Sequence, residues 1–311
     1  MVIDYPVTLS DEIVAARQRA HLTQEELAAR TGLSVRSIRN LESARVLRPR
    51  PATVRLIRDA LGLPGPPGPS SPPPRPRPMQ LPLDVPGFTG RVAQLAQLDR
   101  LFDGGPRQMS TVVVCVLIGR AGIGKTALAL HWAHRFATRF ADGVLHIDLS
   151  GNRTQRSPAS PSDALGCLIE ALAGPAGGIP RGLDARVGLY RSLLAGRRML
   201  IVLDDARDAD QVRPLLPGAA GCMVLVTSRD RLTGLVAGEV AHPVVLDRLA
   251  PEEAYELLRA RLGAHRLATE PEAVRGIVAH CQGVPRALAV VAACAAVQPG
   301  VSLTELARQL R

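Results

Sequence analysis

Between residues 112 and 246 the chain alternates between two hydrophobic patterns. Short, continuously apolar runs at 112–118, 144–148, 199–203, 223–227 and 240–246 predict strands, and amphipathic helical patterns begin near Lys125, Pro161, Leu183 and Ala209. Strands that are apolar without alternation belong to a sheet covered on both faces, so a parallel α/β sheet is expected. After Pro251 only helical patterns remain, at 251–263, 271–281, 285–297 and 302–310. The N-terminal part is also helical. Ser10 can cap a helix running to Ala20, Thr23 with Glu26 forms a capping box opening a second helix that ends at Thr31-Gly32, Ser34 caps a third running to Ser43, and a fourth covers 53–61.

Between these regions, residues 63–86 (LPGPPGPSSPPPRPRPMQLPLDVP) contain eleven prolines and can form neither a helix nor a central strand. They read as a linker, able at about 3.1 Å per residue in polyproline form to separate its flanking domains by tens of ångströms. The expected architecture is therefore multi-domain: an all-α helix-turn-helix domain at 1–62, the linker at 63–86, an α/β core with a parallel sheet at 87–249, and a C-terminal helical subdomain at 250–311.

Composition narrows the classes. Hydrophobic residues make up 46% of the 311, enough to fill real cores, which excludes a disordered chain; aromatics at 3% mean that those cores are built from Leu, Val, Ile and Ala. The five cysteines, Cys115, Cys167, Cys222, Cys281 and Cys294, are odd in number and lack the paired spacing of a zinc site or disulfide framework. The N-terminus, MVIDYPVTLSDE, carries acids where a signal peptide has a basic segment, and the longest apolar run, 287–297, is shorter than the roughly 18 residues of a membrane span. A soluble, cytoplasmic protein without membrane contact is expected. The formal charge of +10 favours contact with a polyanion.

One count is more pointed. The chain has 37 arginines and a single lysine, Lys125. A compact ammonium on a flexible stem does something there that a planar guanidinium cannot. Lys125 lies in the run Gly119-Arg120-Ala121-Gly122-Ile123-Gly124-Lys125-Thr126, which matches the Walker A pattern and sits after an expected strand and at the start of an expected helix. Glycines in such a loop let successive backbone N–H groups face a phosphate, and the helix start adds partial positive charge. Lys125 is expected to bridge the outer phosphates and the Thr126 hydroxyl to ligate Mg2+. Downstream, MLIVLDDA fits Walker B: Asp204 is expected to hold Mg2+ through water and Asp205 to orient or deprotonate an attacking water. Arg229, in Thr227-Ser228-Arg229 at the end of the next strand, can sense a γ-phosphate through charge-assisted hydrogen bonds.

From Phe88 onward, this order of motifs resembles the STAND class of signal-transducing P-loop ATPases, in its NB-ARC branch of plant resistance proteins, apoptosome scaffolds and actinobacterial regulators. Phe88-Thr89-Gly90-Arg91 is similar to the family's opening motif, whose backbone meets the adenine. Gly283-Val284-Pro285-Arg286-Ala287-Leu288 resembles its Gly-Leu-Pro-Leu motif, in which Pro285 packs on the nucleotide; Arg286 departs from the apolar residue usual there. The resemblance implies tightly bound ATP or ADP with Mg2+, slow hydrolysis, and self-association in the ATP state. Members of that family continue into a winged-helix segment and a repeat-rich sensor, so by the resemblance either the 311 residues are a fragment or the sensor and latch lie elsewhere.

The segment TQEELAARTGLSVRSIRNLE resembles the Cro and phage-repressor type of DNA-binding domain over residues 9–61. By that resemblance Thr23-Gln24 anchors the second helix on the DNA backbone, and Val35, Arg36 and Asn40 face the bases. Arg36 suits guanine, Asn40 adenine and Val35 a thymine methyl, while Arg39 and Arg50 suit phosphates. Ala44 replaces the glycine that usually ends the third helix. Together the features predict an ATP-gated regulator that binds double-stranded operator DNA. The alternatives are a defence or stress ATPase whose helical domain recruits protein, and a processive motor, for which no pore signature is found.

Overall fold

The computed structural model describes residues 9–44, 46, 49, 51–63, 77–103, 111–150, 159–174, 178–218 and 220–309. They form two compact units, divided between Pro76 and Arg77. Among the described residues no helix is long and apolar enough to cross a membrane.

The first unit is four helices, α1 (Leu9–Arg19), α2 (Gln24–Thr31), α3 (Val35–Glu42) and α4 (Pro51–Ala60). Local chemistry sets the turns. The Thr23 hydroxyl accepts the Glu26 N–H at 3.1 Å while the Glu26 carboxylate accepts the Thr23 N–H at 2.7 Å, a reciprocal cap on α2. Gly32 ends that helix at φ 69°, and the Ser34 hydroxyl caps α3 by accepting the Ser37 N–H. Ile13, Leu27, Ile38 and Ile57 close a small core.

The second unit is a five-stranded, wholly parallel sheet in the order β2-β3-β4-β1-β5, from β1 (Val113–Ile118), β2 (Gly143–Asp148), β3 (Met199–Ala206), β4 (Met223–Ser228) and β5 (His242–Val245). β1 turns Val114 and Val116 to one face and Cys115 and Leu117 to the other, and each face has its own core. On one side lie α5 (Val92–Asp103) and α6 (Lys125–Phe136); on the other lie α7 (Pro161–Ala173) and α8 (Leu183–Leu194). Two short helices, α9 (Ala209–Val212) and α10 (Thr233–Gly238), join the later strands. The last five helices, α11 (Pro251–Leu262), α12 (Ala264–Thr269), α13 (Pro271–Cys281), α14 (Pro285–Val297) and α15 (Leu303–Gln309), surround a separate apolar cluster.

Three differences from expectation have physical causes. β5 is shorter than 240–246, because Val240 turns through φ 52° before the strand starts. The C-terminal part has five helices instead of four, since α12 forms directly after Gly263, which is set at φ 83°. The proline-rich segment is not linker to its end: the Val144 N–H donates to the Pro78 carbonyl at 2.8 Å and the Gln80 N–H donates to the Val144 carbonyl at 3.1 Å, so residues 78–80 line the free edge of β2. An edge tolerates prolines because the missing N–H groups have no ladder to break.

Ala44 takes φ 53° immediately after α3. The left-handed conformation strains a residue with a Cβ and suits glycine. Ala44→Gly is therefore expected to raise the thermal stability of the first unit by about 0.5–1 kcal/mol, after allowance for the more flexible unfolded chain, as read from hydrogen exchange of α2 and α3.

Candidate nucleotide cleft and recognition helix

β1 delivers the chain at the C-terminal edge of the sheet, where it turns through residues 119–124 into α6. A Cβ at Gly119 would stand 2.7 Å from the Leu246 carbonyl, and Gly124 holds φ 95°, so neither position admits an ordinary side chain without strain. This loop borders a cavity of about 400 Å³, whose lining includes Val85, Phe88, Thr89, Asp148, Asp204 and Arg229. The volume is that of a small-molecule site.

Lys125 is buried, and its ammonium donates to the carbonyls of Gly119 at 2.9 Å and Arg120 at 3.1 Å. Burial pushes its pKa below the ordinary lysine value; Asp205 and Asp204 oppose the shift and Arg229 adds to it. The site thus holds a positive charge that an anion would stabilise.

Around Asp204 the hydrogen bonds have a fixed direction. Thr126 Oγ1 and Thr227 Oγ1 both donate to Asp204 Oδ1, at 2.7 and 2.6 Å, and the Asp205 N–H donates to Thr227 Oγ1 at 2.8 Å. With its proton on Asp204, the Thr126 hydroxyl keeps its lone pairs for a cation, the donor geometry that Mg2+ beside a phosphate requires. Asp205 sits at φ 51° on an irregularity between β3 and β4, and its carboxylate accepts from Arg229 at 3.2 Å. The two residues read separately as water-orienting acid and γ-phosphate sensor are one exposed ion pair here.

The other sequence-derived residues fall on the same cleft in different ways. Phe88 lines the cavity and stacks on His131, with ring centroids 4.3 Å apart. Pro285 opens α14 beside Gly124, and the Arg286 N–H donates to the Gly122 carbonyl at 3.1 Å. Ile123 is buried in the sheet core. Arg91 turns inward: its guanidinium donates to the carbonyls of Ile123 at 3.0 Å and Asp247 at 2.6 Å, and its N–H donates to the Glu253 carboxylate. Sequence reasoning gave Arg91 only a backbone role and missed this brace between the loop and the chain entering α11. It also missed Asp148, which is in register with Asp204 on the neighbouring strand; a second strand-ending carboxylate was the available signal.

In the first unit, Arg36 and Arg39 are exposed on α3, and among the described residues neither meets a carboxylate within ion-pair distance. Asn40 is half-buried and Val35 packs partly against the core. Gln24 donates to Glu42, which also pairs with Arg17 at 2.6 Å, so α2 presents Gln24 already engaged. Arg50 lies outside the described residues.

Comparison with known proteins follows these motifs. The NB-ARC domain profile matches residues 96–268, more than half of the chain. The chain belongs to the NB-ARC family. A helix-turn-helix profile matches residues 13–66. The regulatory protein AfsR of Streptomyces coelicolor is 42% identical over 237 residues, covering 75% of this chain and 23% of that protein. The disease resistance RPP8-like protein 3 of Arabidopsis thaliana is 28% identical over 59% of this chain and 21% of its own length. A STAND protein with a tetratricopeptide repeat sensor from Pyrococcus horikoshii aligns over 68% of this chain and 30% of its own, with TM-score 0.42 and 23% identity. The chain thus spans less than a quarter of the Streptomyces regulator and of the plant protein.

Replacing Arg91 by Ala strands two carbonyls beside the loop. A loss of about 1–3 kcal/mol in the stability of the NB-ARC unit is expected in thermal denaturation. The Glu42 carboxyl is pushed up by burial, but hydrogen bonds from Arg17 and Gln24, with the Arg17 charge, hold it below its ordinary value. A depressed folded pKa gives stability that is complete above the unfolded value, about 4.3, and fades as the pH falls through the lower folded one. The protection of α1 and α3 amides, taken relative to the intrinsic exchange rate at each pH, should fall over that acidic range, and Glu42→Gln should flatten the dependence.

Proposed function

We propose that this NB-ARC protein is an ATP/ADP-dependent switch that regulates transcription through its helix-turn-helix unit. The observation that carries the reading is Lys125: the one lysine of the chain, buried at a glycine-lined helix start with Asp204 and Thr126 hydrogen-bonded beside it.

In this reading the loop N–H groups and the start of α6 receive the phosphates, and Lys125 exchanges its two loop carbonyls for phosphate oxygens. Thr126 would ligate the cation and Asp204 would hold it through water. Bound Mg2+ supplies charge neutralisation at the outer phosphates. Asp205 is placed to orient a water, and Arg229, released from Asp205, donates to the terminal phosphate; ATP and ADP then differ in whether that ion pair persists. The buried, unpaired hydroxyl of Thr89 in the lining of the same cleft fits a ligand that offers more polar groups than the phosphates.

Unpaired Arg36 and Arg39 on α3 favour DNA over a protein partner for the first unit, with Arg36 and Asn40 reading bases and Arg39 a phosphate. Similarity to a Streptomyces regulatory protein supports a regulatory role. Nucleotide state would act through self-association, since a single repressor-type unit binds weakly and joining copies raises its effective concentration on DNA.

Lys125→Ala is expected to lower Mg-ATP affinity about ten- to hundredfold in calorimetry, the range of charge-assisted hydrogen bonds. Gel shifts with ADP, a non-hydrolysable ATP analogue and Lys125→Ala should give different DNA affinities; identical ones refute nucleotide control. Arg36→Ala with Asn40→Ala should abolish sequence preference, whereas a protein-recruiting unit would show none to lose.

A further inference from the structure

Residues 82–88 reach the cleft across the surface of α6 and make three side-chain contacts with it. His134 Nε2 donates to the Pro82 carbonyl at 2.7 Å. His131 Nδ1 donates to Asp84 Oδ2 at 3.1 Å, and its ring lies on the Phe88 ring, 13° from parallel. Asp84 in turn accepts the Val85 N–H at 2.7 Å. The segment belongs to no helix or strand, and a backbone bond from the Phe88 N–H to the Val85 carbonyl closes its turn. Phe88 packs partly against the core on this face of the sheet, and the free face of its ring rests on His131, so the stack contributes to its position.

We infer that His131 is a positioning residue for the base end of the nucleotide cleft, a role that rests on the nucleotide reading above. The start of α6 carries Lys125 and Thr126 at the phosphate end; His131, further along the same helix, fixes Phe88 and with it the wall formed by Val85, Phe88 and Thr89. A helix is stiff, so the two ends of the cleft keep a fixed separation as long as the stack holds. The Asp84 bond holds residue 84 against the same helix, and the stack holds Phe88 beside it.

The test separates base from phosphate. Full-length protein is titrated in a calorimeter with Mg-ADP and, separately, with inorganic tripolyphosphate. His131→Ala should weaken ADP binding about three- to tenfold, the worth of an aromatic pair, and leave tripolyphosphate affinity unchanged. His131→Phe, which keeps a stacking ring, should restore ADP binding to within about twofold of the wild type. Unchanged ADP affinity in His131→Ala, or equal losses for both ligands, overturns the assignment. Wild-type protein that binds neither ligand overturns the nucleotide reading itself, and the role of His131 with it.

Discussion

A wholly parallel sheet sends every strand's carboxyl end to the same edge, and this constraint places the chemistry of the NB-ARC unit. Ile118 is in register with Ser228 and Asp148 with Asp204, so the glycine loop, two carboxylates and Arg229 emerge along one line without any long-range search. The strands are buried on both faces, which leaves that edge as the place where polar groups can gather at low desolvation cost. Lys125, like Arg91, departs from this pattern: a charge brought under cover and held by two carbonyls.

The helical part that follows the sheet is attached to this edge largely through backbone groups. The Arg286 N–H meets the Gly122 carbonyl, the Leu249 N–H meets the Gly283 carbonyl, and Arg91 bridges two further carbonyls. Bonds of this kind are indifferent to the side chain at position 286. This explains how an arginine is accommodated there: its N–H does the docking while its side chain is exposed.

What could be read from the sequence was what has a short-range cause. The strands announced themselves as unbroken apolar runs, the loop by its glycines and lone lysine, and α2 and α3 by Thr23, Glu26, Gly32 and Ser34 acting on their nearest neighbours. What escaped depends on distant partners. Nothing local in residues 78–80 shows that they will find the edge of β2, 64 positions beyond Gln80 at Val144. The burial of Arg91 needs carbonyls from Ile123 and Asp247, and the engagement of Gln24 needs Glu42. α5 is not among the expected helices, although Leu95, Leu98 and Leu101 recur at helical spacing.

Thr227 has a single hydroxyl proton, and it is committed to Asp204 while the oxygen receives the Asp205 amide. Valine, the same shape without the hydroxyl, would silence both contacts at once; serine would keep the polarity and lose only a methyl. One side chain therefore orders the arrangement of two neighbouring acids, giving the first a donor and anchoring the backbone of the second. The pair on β3 does not consist of two equivalent carboxylates: a hydroxyl on β4 tells them apart.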